Sequence, residues 1–348
     1  MSTARTPNSP ILAGDLLPEG EVRGFAYLAQ SPPSRGCDRL LLVGEDDLTA
    51  PPARVVPNDA ASTISLAPTP LDRLPDDRVH TASDIAPGLP KVTDRLLRTP
   101  GSPWSTTATH LMDALLQDGH SVWAAGGFVR DLVSDGDAAR PNDLDMSGTA
   151  PPGRFTEIAE RIRIRAGLEH RTKVSVDSLV CFAVSPTGAP VFEYRTLNLT
   201  GYPFPASGSD LSEDAECRDF TVNCLLLDPH EHLVLDPSGE GLTHLSARPR
   251  MLVPMNRSGD PEIRAANLLR AVKFQLRWQF DPGIDCPHPP ALTDGWQFVI
   301  SEEAWRDLRK THAELLVKYD SDLIREAAKR LSAAALELVS AIEERSDA

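Results

Sequence analysis

Two segments, Gly126-Gly127-Phe128-Val129-Arg130-Asp131 and Asn142-Asp143-Leu144-Asp145, carry residue types whose spacing could do chemistry. Alternate residues of an extended strand share a face. Asp143 and Asp145 can therefore aim two carboxylates at one spot. Paired carboxylate oxygens suit Mg²⁺, and Mg²⁺ pairs suit phosphoryl or nucleotidyl transfer. The glycine pair can bring backbone N–H groups and a positive helix end toward an anion. Arg130 can add a charge-assisted contact to phosphate. A Gly-Gly turn alone is weak, because most such turns are plain connections. Its value comes from its neighbours.

The elements that must position these residues follow from pattern. A helix is expected over 102–120, with Asp118-Gly119-His120 as its stop. Ser121 to Ala125 reads as a short strand running into the glycines, and Phe128 to Ser134 as the next helix. A strand is expected through Asp143 to Met146, then a helix over Phe155 to Ala166 led by Pro151-Pro152. Two strand-like runs, Lys173 to Val184 and Val191 to Thr196, flank the turn Ser185-Pro186-Thr187-Gly188 and predict an antiparallel hairpin. Glu193 lies in the second run. A lone Glu in a strand is commonly a solvent-facing residue; beside an Asp-x-Asp strand it is also where a third metal-supporting acid would sit. Leu197 to Glu216 reads as a loop between these strands and the next motif, as a cover for the site or as a surface connection.

The motifs together resemble the head domain of class II tRNA nucleotidyltransferases (CCA-adding enzymes) and bacterial poly(A) polymerases. Gly126-Gly127-x-x-Arg130-Asp131 with Asp143-x-Asp145 carries the first part. Cys217-Arg218-Asp219-Phe220-Thr221-Val222-Asn223-Cys224 is similar to the family's Arg-Arg-Asp-Phe-Thr-x-Asn-Ala motif. Leu235-Asp236-Pro237-Ser238-Gly239 resembles its Asp-Pro-x-Gly-Gly turn, and Leu268 to Phe274 the helix that closes over the nucleotide. The resemblance runs from about residue 120 to about 280. It implies an α+β fold: a nucleotidyltransferase head with a mixed or antiparallel sheet, then a helical neck-like region and a short helical C-terminus. It implies that Asp143 and Asp145 hold two Mg²⁺ ions; Glu193, placed by the strand pattern alone, is the candidate third catalytic acid. Gly126, Gly127 and Arg130 would contact the triphosphate, and Asp131 would brace the loop by pairing with an arginine. Arg218, Asp219 and Asn223 would belong to the nucleotide site, Asp219 accepting from a ribose hydroxyl. Arg270 and Lys273 would complete the cationic lining. The bland alternative for Arg218-Asp219 is a local ion pair capping the next helix.

Departures from the pattern are specific. Cys217 replaces the first arginine of the second motif, and Cys224 its closing alanine. The family's base-reading Glu-Asp-x-x-Arg is also changed: counting back from Leu268, Arg264 occupies the Asp position and Asn267 the Arg position. Asp260, Arg264 and Asn267 follow an i, i+4, i+7 pattern and share one helix face. Asp260 can cap that helix, with Pro261 at its first position. One reading is an Asp260–Arg264 ion pair; the other is an altered base-reading face, because arginine and asparagine both offer donors.

Composition bounds the rest. The chain has 348 residues, 41% hydrophobic and 24% charged, which suits two or more soluble domains. No apolar run approaches the roughly 18 residues of a membrane span, and no signal-peptide order opens the chain. Five cysteines show no CxxC pairing, so neither a zinc knuckle nor a disulfide frame is indicated. A reduced, cytoplasmic protein is the default. The net charge of −15 argues against broad non-specific binding of nucleic acid. A local basic concentration exists at Arg248, Arg250, Arg257, Arg264, Arg270, Lys273 and Arg277. His230-Glu231-His232 sits where a hairpin turn is expected and reads as turn residues.

The expected organisation is a Pro-rich N-terminal extension over 1–100, in which Leu40 to Val43 could be a strand. A catalytic head over 101–228, a nucleotide-binding neck-like region over 229–280, and a linker with C-terminal helices over 281–348 follow. Helices are expected over Glu302 to Tyr319 and Leu323 to Glu344, the latter with an apolar stripe for the core or for a second copy of the chain in a homo-oligomer. Three functions stay open. The first is Mg²⁺-dependent transfer of a nucleotide from a nucleoside triphosphate to a tRNA or other RNA 3′ end. The second is the same chemistry on a small molecule or protein. The third is non-catalytic nucleotide or RNA binding.

Overall fold

The structure is a computed structural model. It describes residues 26–29, 53–56, 74–100, 104, 107–141, 143–168, 171–175, 180–184, 190–199, 206–208, 210–256, 259–278 and 283–347. The strands are β1 (Ala26–Ala29), β2 (Ala53–Val56), β3 (Val79–Thr81), β4 (Val122–Ala125), β5 (Asp145–Gly148), β6 (Arg171–Ser175), β7 (Val180–Val184) and β8 (Pro190–Thr196). Then come β9 (Asn198–Leu199), β10 (Ala206–Ser207), β11 (Leu226–Asp228), β12 (Leu233–Leu235), β13 (Arg250–Met251) and β14 (Ile284–Asp285). The helices are α1 (Ala82–Ile85), α2 (Leu89–Leu97), α3 (Thr107–Gln117), α4 (Gly126–Asp135), α5 (Pro152–Ala166) and α6 (Leu211–Glu216). They continue with α7 (Gly241–Ser246), α8 (Pro261–Trp278), α9 (Glu302–Leu316), α10 (Ser321–Leu331) and α11 (Ala333–Asp347). Among these residues no helix is long and apolar enough to cross a membrane.

The chain forms two compact units: residues 1–214 with 226–237, and residues 215–225 with 238–348. The first is built on an eight-stranded sheet in the order β3-β12-β11-β4-β5-β8-β7-β6. All neighbours run antiparallel except β5 and β8, which are parallel. A parallel pair needs a crossover, and α5 with the β6–β7 pair supplies it. This is the mixed sheet with helices of an α+β head. Strand β4 is buried throughout, as a central strand covered on both faces must be. On one face Trp123 and Ala125 pack with Leu74, Leu197, Leu211, Leu226 and Leu235. On the other, the Tyr194 ring stacks on Phe155 of α5 at 4.1 Å between centroids.

Several expectations are corrected here. Val79–Thr81 pairs with Leu233–Leu235, so the sheet draws on both sides of the boundaries expected at 100/101 and 228/229. Lys173 to Val184 is two strands, β6 and β7, paired with each other before β7 pairs with β8. Leu197 to Glu216 is not simply a loop: it contains the β9–β10 pair and α6. Strand β5 begins at Asp145, so Asp143 precedes it. The turn at 185–188 and the run Leu40 to Val43 lie outside the described residues.

An ion-pair clamp joins the end of α3 to the start of α5. Arg154 donates to both carboxylate oxygens of Asp118, through Nε at 2.6 Å and through Nη2, and its Nη1 reaches Glu157 at 2.6 Å. The hydrogen bond from Arg154, outweighing partial burial, holds the Asp118 carboxyl below its usual range. A carboxyl with a depressed folded pKa contributes stability above its unfolded value, and that contribution is lost as pH falls through the folded one. Denaturant unfolding from pH 7 down past 3.8 is therefore expected to show an acid-side loss of stability that Arg154→Gln reduces. An unchanged profile in the variant would deny the clamp this role.

The second unit is helical. Helix α8 presents Ala265, Leu268, Leu269, Val272 and Leu276 to a core shared with α9, α10 and α11. The apolar stripe expected to meet the core or a second copy is buried here, through Ile324, Ala327, Ala328, Leu338, Val339 and Ile342. The single helix expected over Leu323 to Glu344 is two. Ser332 adopts an extended backbone between them, and its hydroxyl accepts from the Ala335 N–H at 3.1 Å, which makes it an N-cap. The expected linker from Asp281 is partly structured, since β14 pairs in parallel with β13.

Candidate active site

In the first unit, β4 ends at Ala125 and α4 starts at the next residue. Gly126 has φ of +59°, a conformation that costs residues with a Cβ. A Cβ there would also lie 2.8 Å from Oδ2 of Asp145. The backbone thus requires this glycine, and a Cβ would in addition push the Asp145 carboxylate aside. Ala125 provides no side-chain cap for α4, and a helix N-terminus favours negative charge.

Asp145 is the register partner of Ala125 on one side and of Glu193 on the other. Partners in register carry their side chains on the same face, so Asp145 and Glu193 stand beside each other. Leu144 is fully buried and its carbonyl accepts from the Glu193 N–H at 3.0 Å. Asp143, exposed, and Asp145, half-buried, flank it. The alternation expected for Asp-x-Asp is present, although only Asp145 is within the strand.

Arg130 and Asp131 are both buried and paired at 3.1 Å. Asp131 was expected to pair with an arginine; its neighbour is that arginine. The Arg130 guanidinium folds back toward the start of its helix, where a Cβ on Gly127 would meet Nη2 at 3.4 Å. Replacing Gly126 by alanine is therefore expected to cost about 1–3 kcal/mol of stability and to displace the Asp145 carboxylate. Thermal unfolding and turnover check this; a variant with wild-type values of both would remove Gly126 from the site.

His230 and His232 lie in the β11–β12 turn as expected. His230 Nε2 is 3.5 Å from Asp113 and His232 Nε2 is 3.7 Å from Asp94. Each histidine thus ties the turn to a helix.

In the second unit, Asp219 is the centre of a small network. Its Oδ1 accepts from the Phe220 N–H at 2.7 Å and from Asn223 Nδ2 at 2.8 Å. Its Oδ2 lies 2.6 Å from Arg270 Nε of α8. Arg218 is buried, and its Nη1 donates to the Asn223 carbonyl at 3.5 Å. Asp219 thus ties the start of the following turn to the Asn223 side chain, and its arginine partner is Arg270, not Arg218. Phe220 packs edge-on against Phe274 of α8, which keeps the network against that helix.

The positions expected to read the base lie on or next to α8. Asp260 Oδ1 accepts from the Glu262 N–H at 2.9 Å, the cap expected of it. Arg264 Nη1 donates to the Ala291 carbonyl at 3.1 Å. Asn267 is buried and Lys273 exposed on α8. Of the basic concentration, Arg250 is buried with its guanidinium 4.8 Å from the Trp278 ring centroid, so packing occupies it. Arg257 lies outside the described residues. The network residue that sequence reasoning missed is in the first unit. Arg195 sits two residues beyond Glu193, and that spacing was the available signal.

Residues 122–249 match the family model described as Poly A polymerase head domain. CCA-adding enzymes of Bacillus cereus (strain AH820) and Bacillus anthracis (strain CDC 684 / NRRL 3495) are each 28% identical to this chain over 170 residues, covering 48% of it and 40% of the relative. The chain thus matches about two-fifths of the length of those relatives. Among solved structures, the Bacillus stearothermophilus CCA-adding enzyme in complex with CTP aligns with 21% identity and a TM-score of 0.43, covering 61% of this chain and 49% of that one. The Thermotoga maritima CCA-adding enzyme complexed with tRNA aligns with 16% identity and a TM-score of 0.43, covering 76% and 54%.

Proposed function

We propose that this chain, whose residues 122–249 are a divergent head domain of the poly A polymerase and tRNA nucleotidyltransferase type, transfers a nucleoside monophosphate from a nucleoside triphosphate to an acceptor hydroxyl. The bond from the acceptor oxygen to the α-phosphorus forms, the bond from that phosphorus to the β-phosphate oxygen breaks, and pyrophosphate leaves. The observation that carries this reading is the pairing of Asp145 with Glu193 in register, beside a helix N-terminus that opens on a positive-φ glycine, Gly126, next to the Asp145 carboxylate.

The residues fit Mg²⁺. Among the described residues no three His, Cys, Asp or Glu side chains are gathered as a ready metal cluster. Mg²⁺ is commonly held by one or two carboxylates plus substrate phosphates, not by an all-protein cage. Asp143 and Asp145 would supply those carboxylates, with Glu193 beside them. When bound, Mg²⁺ supplies neutralisation of the triphosphate and a lower pKa for the attacking hydroxyl.

The chain's own groups do the rest. The first N–H groups of α4 bind and orient the triphosphate, and Arg130 adds positive charge near them. Asp131 keeps that guanidinium in place. Arg218, Asp219, Asn223, Arg270 and Lys273, all of the second unit, are the residues that the family resemblance assigns to the nucleotide. Asp219 is held by Asn223 and Arg270, so its carboxylate is oriented before a ribose hydroxyl arrives. Arg264 and Asn267 replace the acid and arginine of the related motif, and we propose that the base preference differs from C then A, since both side chains offer donors. Equal binding of all four nucleoside triphosphates would defeat that point.

The acceptor proposed is an RNA 3′ end, as the names of the relatives support. A small-molecule or protein acceptor is the second reading; the net charge of −15 favours it over long RNA. Incubation with Mg²⁺, each labelled triphosphate, and either bulk tRNA or a small-molecule extract separates them. Pyrophosphate release only with tRNA supports the first, and only with extract the second. No turnover in either, with Asp143→Ala binding nucleotide as well as wild type in Mg²⁺, would replace both with a binding function.

A further inference from the structure

Arg195 stands two residues beyond Glu193 on β8, so both side chains share a face. Its register partner on β5 is Ser147, as Asp145 is that of Glu193. Tyr194, between them, turns to the other face and stacks on Phe155. Asp145, Ser147, Glu193 and Arg195 thus form one block on two adjacent strands.

The guanidinium of Arg195 is held in place. Asp214 of α6 is 2% exposed, and its Oδ1 lies 3.6 Å from Nη2. The same oxygen accepts from the Asn198 N–H at 3.0 Å. The Asn198 carboxamide, turned with its oxygen toward the guanidinium, accepts from Nη2 at 2.6 Å and Nε at 3.3 Å. A buried carboxylate needs such pairing to offset its desolvation. In return the cation is fixed before a ligand arrives, which lowers the ordering cost of binding. The side chain is 25% exposed, so a ligand can reach it.

Its position relative to the carboxylates matters. The α4 N-terminus follows Ala125, the partner of Asp145 on β4. From Ala125, Arg195 lies two strands across and two residues along, which places the α-carbons about 12 Å apart. The α4 end and Arg195 flank the carboxylates on opposite sides. In an in-line displacement the entering and leaving oxygens are also on opposite sides of the phosphorus. With the triphosphate on α4, Arg195 is a cation on the side of the carboxylates away from that helix end, where an acceptor entering opposite the leaving group can meet it.

We infer that Arg195 is an anion anchor for the acceptor, a positioning residue that binds a phosphate adjacent to the attacking hydroxyl. The inference rests on the nucleotidyl-transfer reading and narrows its acceptor to phosphate-bearing molecules. That phosphate is either the last internucleotide linkage of a strand or the phosphate of a small molecule.

Binding measurements without turnover test it. The probes are an RNA oligonucleotide whose last linkage is a phosphodiester or a neutral methylphosphonate, and a nucleoside with or without its 5′-phosphate. Wild type is expected to lose roughly ten- to a hundredfold in affinity when the phosphate is neutralised or removed from the true acceptor class, the range of a charge-assisted contact. The probe pair that shows the loss identifies the source. In Arg195→Gln the two members of that pair should bind alike, and Arg195→Lys should restore most of the difference. The melting temperature falls in Arg195→Gln in either case, because Asp214 loses its partner; the KM for the nucleoside triphosphate should not move, whereas a merely structural role would alter it. The inference is overturned if wild type shows no phosphate preference in either pair, or if Arg195→Gln keeps it. Absence of the preference in wild type, with pyrophosphate release intact, sinks the anchor alone. An intact preference without pyrophosphate release sinks the nucleotidyl-transfer reading alone.

Discussion

Asp145→Asn is expected to lower pyrophosphate release by roughly 10³-fold or more while leaving the protein folded. The side chain keeps its size but loses its charge. Metal-assisted neutralisation of a transferring phosphoryl group supplies several kcal/mol to the transition state, and each 1.36 kcal/mol is about a factor of ten in rate. Asp145 is half-buried between Ala125 and Glu193, so the amide fits the same space. Asp143→Asn should follow the same direction. Single-turnover transfer with saturating triphosphate, read beside the melting temperature, checks this. A variant within tenfold of wild type would remove Asp145 from the chemistry.

The largest expected effect on stability comes from Gly148→Ala at the other end of the same strand. A Cβ there would lie 2.5 Å from the Ser121 carbonyl oxygen and 2.9 Å from the Tyr194 hydroxyl. The first neighbour is backbone, and the second is tied by its own hydrogen bond to the Ala150 carbonyl at 2.8 Å. Neither can give way cheaply. Overpacking of this kind costs about 1–3 kcal/mol, and more where backbone must move. Because β5 carries Asp145, the shift is also expected to lower turnover. Denaturant unfolding of Gly148→Ala should show a reduced midpoint; an unchanged midpoint would mean that the strands part without cost.

The candidate site was legible where its signals are local. The apolar strand running into Gly126-Gly127, and the Asp143-x-Asp145 spacing, are both read within a few residues. Glu193 was legible only as a candidate, since its place depends on the parallel pairing of β5 with β8, about 50 residues apart in the chain. Arg195 and Asp214 were missed for the same reason: their contact joins a strand to a short helix across a segment that carries no periodic signal. Asp219 was anticipated, but its partner Arg270 comes from another element, and the nearer Arg218 was the obvious guess. Strand β3 escaped notice because three residues in a proline-rich region have no alternation to detect; only pairing with β12 makes them a strand. The break at Ser332 was hidden because the apolar stripe continues across it, while a serine cap is commonplace in sequence.

The most direct measurement is the stoichiometry of transfer from an α-labelled nucleoside triphosphate in Mg²⁺, with a phosphate-bearing acceptor, in wild type and in Asp145→Asn. One pyrophosphate released for each label transferred, with both lost together in the variant, is the predicted result. Label appearing only as free nucleotide, or transfer undiminished in Asp145→Asn, would contradict the assignment of this face as a nucleotidyl-transfer site.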